Sequence, residues 1–139
     1  MSNVNANTIR AANGSLGTDI RIKNTSVYES DGGTSVTQNL VQGVAKVWNN
    51  VKQTGTQSIQ DSFNVGSIVD TAVGFTTTNF SNPMNNTGYS ITACSEYNTM
   101  QGINTGVSAA GAHGFVNLNS GGSYEDRDDS CLQIMGDLA

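Results

Sequence analysis

The sequence is poor in charge, and its few basic residues are scattered. Charged residues make up 12% of the chain, with six Lys and Arg against eleven Asp and Glu. Nucleic-acid binding needs a basic surface, so a net charge of −5 argues against it. No apolar run reaches the length of about eighteen residues that a membrane-spanning helix needs, so we expect no membrane insertion. The first residues also lack the basic and apolar regions of a secretory signal, which favours synthesis in a cytoplasm.

Cysteine and histidine are scarce, which limits the chemistry available to the chain. In a cytoplasmic product, Cys94 and Cys131 are expected to be buried reduced thiols in strands rather than a disulfide. The single histidine, His113, lies in a loop of small residues and is expected to be exposed. No nucleophile elbow or cysteine-enzyme signature surrounds these residues. We therefore predict a protein that is not an enzyme and that needs no cofactor.

The one cluster of charge, at residues 125–129, has the order Glu-Asp-Arg-Asp-Asp. Carboxylates in a loop are ligands for calcium, but this spacing differs from that of a calcium-binding loop, and Arg127 lies in the middle. We interpret the cluster as a solvated loop whose charges oppose edge-to-edge strand pairing. No metal site is predicted.

Glycine, serine, threonine and asparagine are abundant, whereas proline occurs once. Glycine and β-branched threonine disfavour helix interiors, and the low charge argues against disorder. Turn-forming residues separate short apolar stretches throughout the second part of the chain. The sequence therefore predicts an all-β fold, an antiparallel β-sandwich or barrel-like domain. Its strands are expected at residues 45–51, 58–65, 67–70, 75–80, 89–97, 115–119 and 131–135.

The first two of these strands read as a hairpin around the only tryptophan. Val47 and Val51 alternate with Trp48, and residues 53–56 include a glycine suited to a tight or bulged loop. A single tryptophan in a strand that opens a domain usually packs inside. Trp48 and Phe63 are therefore expected to share the core, together with Val65 and Ile91.

The same stretch resembles a C-terminal domain found in bacteriophage tail fibre proteins. The resemblance is carried by A-K-V-W at 45–48, T-G-T at 54–56 and S-F-N-V at 62–65, and it continues through Gly74-Phe75-Thr76 and Pro83-Met84 to the strand ending at Asp137. It covers about 44–137 and is strongest at 48–70. The resemblance implies a structural virion protein, a short tail fibre or fibre tip involved in host-surface attachment.

Residues 1–43 differ in character from the β domain expected at 44–139. They read as an extended attachment and trimerisation segment, with strands at 8–10 and 19–23 and either a short helix ending near Gly43 or a loop with one helical turn. Their few apolar side chains cannot form a core alone, which favours association with other copies. The apolar count permits a dimer, and the fibre resemblance implies a homotrimer that contacts other tail proteins through this segment.

Receptor contact is expected on loops held by the β domain. The candidates are aromatic or amide side chains able to meet a host glycan or outer-membrane receptor: Tyr97, Asn98, Gln101, Asn104, His113 and Tyr124. Tyr97 and Tyr124 equally fit a role in capping the core. Alternatives to the fibre are a free lectin-like carbohydrate-binding module and a tail decoration without receptor contact. A capsule-degrading enzyme would need a longer body. The identities of the receptor, the host and the neighbouring tail protein are left open.

Overall fold

A computed structural model describes residues 27–29, 37–39, 43–96 and 100–139, with side chains at 43–96 and 107–139. The chain divides into two units, Met1–Val41 and Gln42–Ala139. In the first unit, strands β1 (Val27–Glu29) and β2 (Thr37–Asn39) pair antiparallel. Thr37–Asn39 is a strand, so the prediction of a short helix ending near Gly43 is wrong for these residues. Pairing with β1 stabilises the strand, whereas a helix this short is only marginally stable on its own. The strands expected at 8–10 and 19–23 lie outside the described residues.

The second unit contains two four-stranded antiparallel sheets. The first sheet has the order β4-β3-β10-β7, and the second has the order β5-β6-β9-β8. The described residues contain no helix, and therefore no helix among them that is long and apolar enough to cross a membrane. The prediction of an all-β antiparallel fold is confirmed. The strands are β3 (Val47–Lys52), β4 (Ser58–Phe63), β5 (Val65–Ala72), β6 (Phe75–Phe80), β7 (Ser90–Ser95), β8 (Met100–Ala109), β9 (Ala112–Leu118) and β10 (Ser130–Met135).

Every strand predicted between residues 45 and 135 overlaps an observed one, but β8 was missed. This strand pairs with β9 along the edge of the second sheet, with a register shift between Asn104 and Ala109. Two glycines and few large apolar residues weaken the alternation that marks a strand. The β-branched residues Ile103, Thr105 and Val107 do recur at every second position, which is the signal that was available.

The inner faces of the two sheets meet in one apolar core. Val47 and Val51 from β3, Leu132 and Ile134 from β10, and Phe115 from β9 are all buried, and Met84 from the loop after β6 joins them. The alternation of buried valines with Trp48 and Asn50 is what a strand with one buried face predicts. Around this core pack the partly buried residues Val65, Ile68, Phe80, Tyr89, Ile91 and Ala93.

The interior also contains a polar half, in which amides and hydroxyls bridge the two sheets. Gln53, immediately after β3, donates to Thr76 Oγ1 at 2.9 Å. Its Oε1 accepts from Asn117 Nδ2 at 2.6 Å, and the same Asn117 amide donates to Ser130 Oγ at 2.6 Å. Nearby, Asn49 donates to Thr78 at 2.8 Å. These buried groups are satisfied mainly by one another, so the sheets are held together by hydrogen bonds where apolar side chains are absent.

Trp48 and Phe63 do not lie in the core, so that expectation is wrong. They face each other across β3 and β4 on the outer side of the first sheet, and their exposed fractions are 36% and 54%. Trp48 faces outward because it alternates with the buried Val47 and Val51, and for Phe63 the reason is a register shift at Asn50–Val51, where Ile59 pairs with Val51 whereas Asp61 pairs with Asn50. The extra residue reverses the alternation within β4, which places Phe63 outside.

Asn64 then carries the chain from the first sheet into the second. It adopts φ 57°, a left-handed conformation that asparagine tolerates better than most residues. Its side chain accepts from the Asn82 backbone N–H at 2.8 Å and donates to the Lys46 carbonyl at 3.1 Å. This corner turns Val65 inward, against the core, immediately after Phe63 points outward. It also explains physically why the sequence S-F-N-V occurs at this position.

Gly74 and Gly55 offer a matched test of this fold. Both have positive φ, 69° and 71°, but a Cβ on Gly74 would lie 2.6 Å from the Glu125 nitrogen and 2.7 Å from the Asn117 oxygen, whereas one on Gly55 meets nothing within 4 Å. We expect Gly55→Ala to lower the free energy of unfolding by about 1–2 kcal/mol, the cost of the left-handed backbone alone. Gly74→Ala should cost several kcal/mol more or prevent folding. Urea denaturation of both variants checks this, and equal losses would contradict the close approach at Gly74.

Candidate functional site

The outer side of the first sheet carries two rows of side chains, which we call the aromatic face. Antiparallel register places Phe63, Trp48, Gln133 and Thr92 side by side across the four strands. The second row contains Asp61, Asn50, Cys131 and Cys94 in the same strand order. Along β3, β7 and β10, the residues that alternate with these positions are buried or partly buried. Because successive side chains of a strand point to opposite faces, both rows face solvent.

A groove of about 310 Å³ lies in the aromatic face beside Trp48. Its walls are supplied by β3, β10 and β7, so it rests on paired strands and not on a loop. Sites built on strands are positioned more precisely than sites on loops. The residues lining it are Trp48, Asn49, Asn50, Thr92, Cys94, Cys131, Leu132 and Gln133.

The groove combines an indole ring with several hydrogen-bonding groups. Asn50 Nδ2 donates to Asp129 Oδ1 at 3.3 Å, which orients the amide, and Asn50 Oδ1 is buried with no hydrogen-bond partner among the described residues. The exposed side chains of Gln133 and Thr92 complete the polar lining. A binding site with an apolar surface and a few oriented polar groups suits a ligand that has both kinds of surface.

A second groove, of about 330 Å³, lies on the other sheet and contains Tyr124. It is lined by Thr71, Ala72, Val73, Phe75, Val116 and Tyr124. Tyr124, one of the predicted receptor contacts, is 62% exposed, so the alternative role of capping the core does not apply to it. Apart from Thr71 and the tyrosine hydroxyl, the lining side chains offer no polar group.

For four of the other predicted contact residues, the structure does not describe the side chains. Gln101 and Asn104 lie in β8, opposite Asn117 and Gly114, and their side chains are outside the described part of the chain. Tyr97 and Asn98 also lie outside the described residues. The surface that does combine aromatic and amide groups, around Trp48, was not predicted. The exposure of Trp48 was available from its alternation with Val47 and Val51.

His113 is completely buried, so the expectation of an exposed loop histidine and receptor contact is wrong. It lies in β9, where its ring packs edge-on against Tyr89 with centroids 5.8 Å apart. Nδ1 is 3.3 Å from both the Tyr89 hydroxyl and Ser108 Oγ, and Nε2 has no partner. Burial lowers the pKa of His113. The small residues around it form strand pairs and not a loop, which is why sequence reasoning placed it outside.

The acidic cluster at 125–129 is tied to the fold by a different partner for each carboxylate. Asp126 accepts from the Gly74 nitrogen, Glu125 from Arg127 at 2.8 Å, and Asp129 from Asn50. Asp128 accepts from Thr54, and this hydrogen bond, with nearby Lys52, holds the pKa of that carboxyl below its usual value. In the described residues no three metal-ligating side chains come together.

Both cysteines are free, and the expectation that both are buried is wrong. Cys94 is exposed and Cys131 is partly buried. They lie in the second row of the aromatic face, directly opposite each other on β7 and β10. A strand position on the outer side of a sheet is the reason for their exposure.

Comparison with known proteins adds no assignment to this geometry. No protein-family model, no curated protein and no solved structure matches the chain.

Buried His113 makes the stability of the β domain depend on pH. The unfolded histidine takes up a proton near pH 6.5, whereas the buried ring resists protonation until lower pH. Stability should therefore be fully present above the pKa of the unfolded histidine and should fall as the pH is lowered below it. Urea denaturation across this range measures the effect. His113→Gln should remove most of the slope, because the chain has no other histidine. An unchanged slope in the variant would assign the effect to carboxylates instead.

Proposed function

We propose that this chain is a structural virion protein of a bacteriophage, a short tail fibre or fibre tip that binds a glycan on the host surface. Its β domain is a sandwich that presents the aromatic face, and residues 1–43 attach the protein to other tail proteins and form a homotrimer. The role is binding and not catalysis. The protein is made in the host cytoplasm and functions in the phage tail.

The observation that carries the proposal is the exposed pair of aromatic side chains on the outer side of the first sheet. Trp48 and Phe63 are neighbours across two strands and remain accessible, although burying them would stabilise the fold. Exposed large apolar groups that are grouped together commonly mark a binding surface. Here they adjoin amide and hydroxyl side chains rather than further apolar ones.

Carbohydrate fits this combination better than an apolar ligand does. A sugar ring has an apolar C–H face that packs on an aromatic ring, and hydroxyls around its rim that need hydrogen-bond partners. Trp48 supplies the ring, and the exposed side chains of Gln133 and Thr92, which lie beside it in the same row, supply hydrogen-bonding groups. The face is open and can accommodate part of a long polysaccharide.

The resemblance to phage tail fibres supports the same assignment from the sequence. Its strongest segment, 48–70, contains Trp48 and Phe63, and also Asn64, whose left-handed turn directs Val65 inward after the outward Phe63. A free lectin-like module is the other candidate for such a face. Residues 1–43 favour the fibre, since a free lectin has no use for a segment with so few apolar residues.

Glycan binding is tested by changing Trp48 in the full chain. An array of purified bacterial O-antigen and capsular polysaccharides should reveal binding that Trp48→Ala weakens by at least about tenfold, the effect typical of removing a central aromatic contact. Trp48→Phe should retain part of the affinity. Because Trp48 is the only tryptophan, its fluorescence also reports binding directly.

Tyr124→Ala is the matched control, since Tyr124 is similarly exposed but lines the second groove. It should leave binding unchanged, and all variants should melt close to the parent. Loss of binding in Tyr124→Ala alone would move the site to the second groove. Absence of binding by the parent to every polysaccharide would favour a tail decoration without glycan contact.

The oligomeric state tests the second part of the proposal. We expect light scattering to give three times the 14.5 kDa chain mass for the full chain, because residues 1–43 have too few apolar side chains to bury alone. A shortened chain beginning at Val44 should be a folded monomer. A monomeric full chain with a protease-resistant N-terminus would contradict the trimer. If the shortened chain remains trimeric and Trp48→Ala dissociates it, the aromatic face is a contact between copies and not a glycan site.

A further inference from the structure

Cys94 and Cys131 form a thiol pair across two neighbouring strands. They are direct partners in the antiparallel register of β7 and β10, with Ser95 opposite Ser130 and Ala93 opposite Leu132 on either side. Directly opposed residues of such a pair have Cα atoms about 4.5–5.5 Å apart. A disulfide requires Cα atoms about 4.4–6.8 Å apart, and the separation expected for this register lies within that range.

The two thiols also differ in accessibility, which gives them different roles. Cys94 is exposed at the groove beside Trp48, whereas Cys131 is partly buried. Burial, the neighbouring Cys94 and Asp129 raise the pKa of the Cys131 thiol, which lowers its thiolate fraction at neutral pH. A soluble reagent therefore meets Cys94 first.

We infer that Cys94 and Cys131 are a redox modification site that closes into an intrachain disulfide when the protein meets a low-molecular-weight disulfide. The Cys94 thiolate attacks one sulfur of the small disulfide, whose S–S bond breaks and releases one thiolate. The Cys131 thiolate then attacks the Cys94 sulfur and expels the second small thiolate. The protein dithiol is oxidised, the small disulfide is reduced to two thiols, and the two protein protons pass to those thiols.

This chemistry suits a protein that is made in a reducing cytoplasm and then leaves it. Glutathione keeps the thiols reduced during synthesis, and the disulfide forms outside, where reducing agents are dilute. That timing rests on the proposed function in the virion, whereas the closure itself depends only on the strand register. The bond joins β7, an edge strand, to β10 at the wall of the groove.

The test uses the full native chain and glutathione disulfide. Mass spectrometry should show loss of two hydrogen atoms and no glutathione adduct. Trypsin cleaves after Lys52 and Arg127, so the two cysteines fall in separate peptides, 53–127 and 128–139. These peptides should remain linked until a reductant is added. The ratio of intrachain disulfide to glutathione adducts should be at least about tenfold higher in the native protein than in urea, because the fold holds the thiols together.

Two single variants separate this proposal from ordinary cysteine reactivity. Cys131→Ser should accumulate one glutathione at Cys94, and Cys94→Ser should react more slowly because Cys131 is less accessible. Two adducts on the native parent, disulfides between chains, or equal ratios in native and unfolded protein would each overturn the proposal. None of these outcomes depends on glycan binding, so failure of the site at Trp48 leaves this test intact.

Discussion

Gln53 is the side chain on which the arrangement of the β domain most depends. It leaves the first sheet at the end of β3 and reaches Thr76 on β6 and Asn117 on β9, so one buried amide spans both sheets. Its backbone and side chain also bond to the backbone of Arg127, at 2.8 Å and 3.2 Å. Breaking such a network leaves several buried groups unsatisfied, each at a cost of about 1–3 kcal/mol.

This network also determines how the acidic loop lies. The Asn117 carbonyl accepts a hydrogen bond from the Glu125 N–H, and the Asn117 N–H donates to the Gly74 carbonyl. Backbone hydrogen bonds of Asn117 therefore connect the acidic loop, the β5–β6 turn and β9. The close approach at Gly74 follows from these bonds. Charged residues 125–129 are consequently held on a fixed backbone and divided among separate partners. Asp128 and Asp129 are exposed, whereas Glu125, Asp126 and Arg127 are partly buried, so the expected solvated loop describes only part of the cluster.

Local pattern predicted most of the strands, but not which face of β4 is buried. The alternation in β3 correctly identified Val47 and Val51 as inward residues and, read literally, also placed Trp48 outside. The assumption that a lone tryptophan is buried overrode that pattern. For Phe63 no local pattern was sufficient, because the register shift opposite Val51 depends on pairing between strands that the sequence does not encode as a simple period.

The candidate site was missed for the same physical reason. Its two rows come from four strands in the order β4-β3-β10-β7, which are far apart in the chain. The pairing of β10 with β3 brings Gln133 beside Trp48, and the pairing of β10 with β7 brings Cys131 beside Cys94. Loop residues were favoured because binding residues often lie on loops.

The cysteine pair lies at the edge of the first sheet, where a disulfide would stabilise the sheet more than one between two central strands. Within the described unit, β7 is hydrogen-bonded to β10 on one side only. Edge strands open more readily than central strands, because fewer bonds must break. A covalent link between β7 and β10 therefore restrains the strand with the least support. Since β7 also contributes Thr92 and Cys94 to the groove, restraining it preserves the shape of the surface beside Trp48.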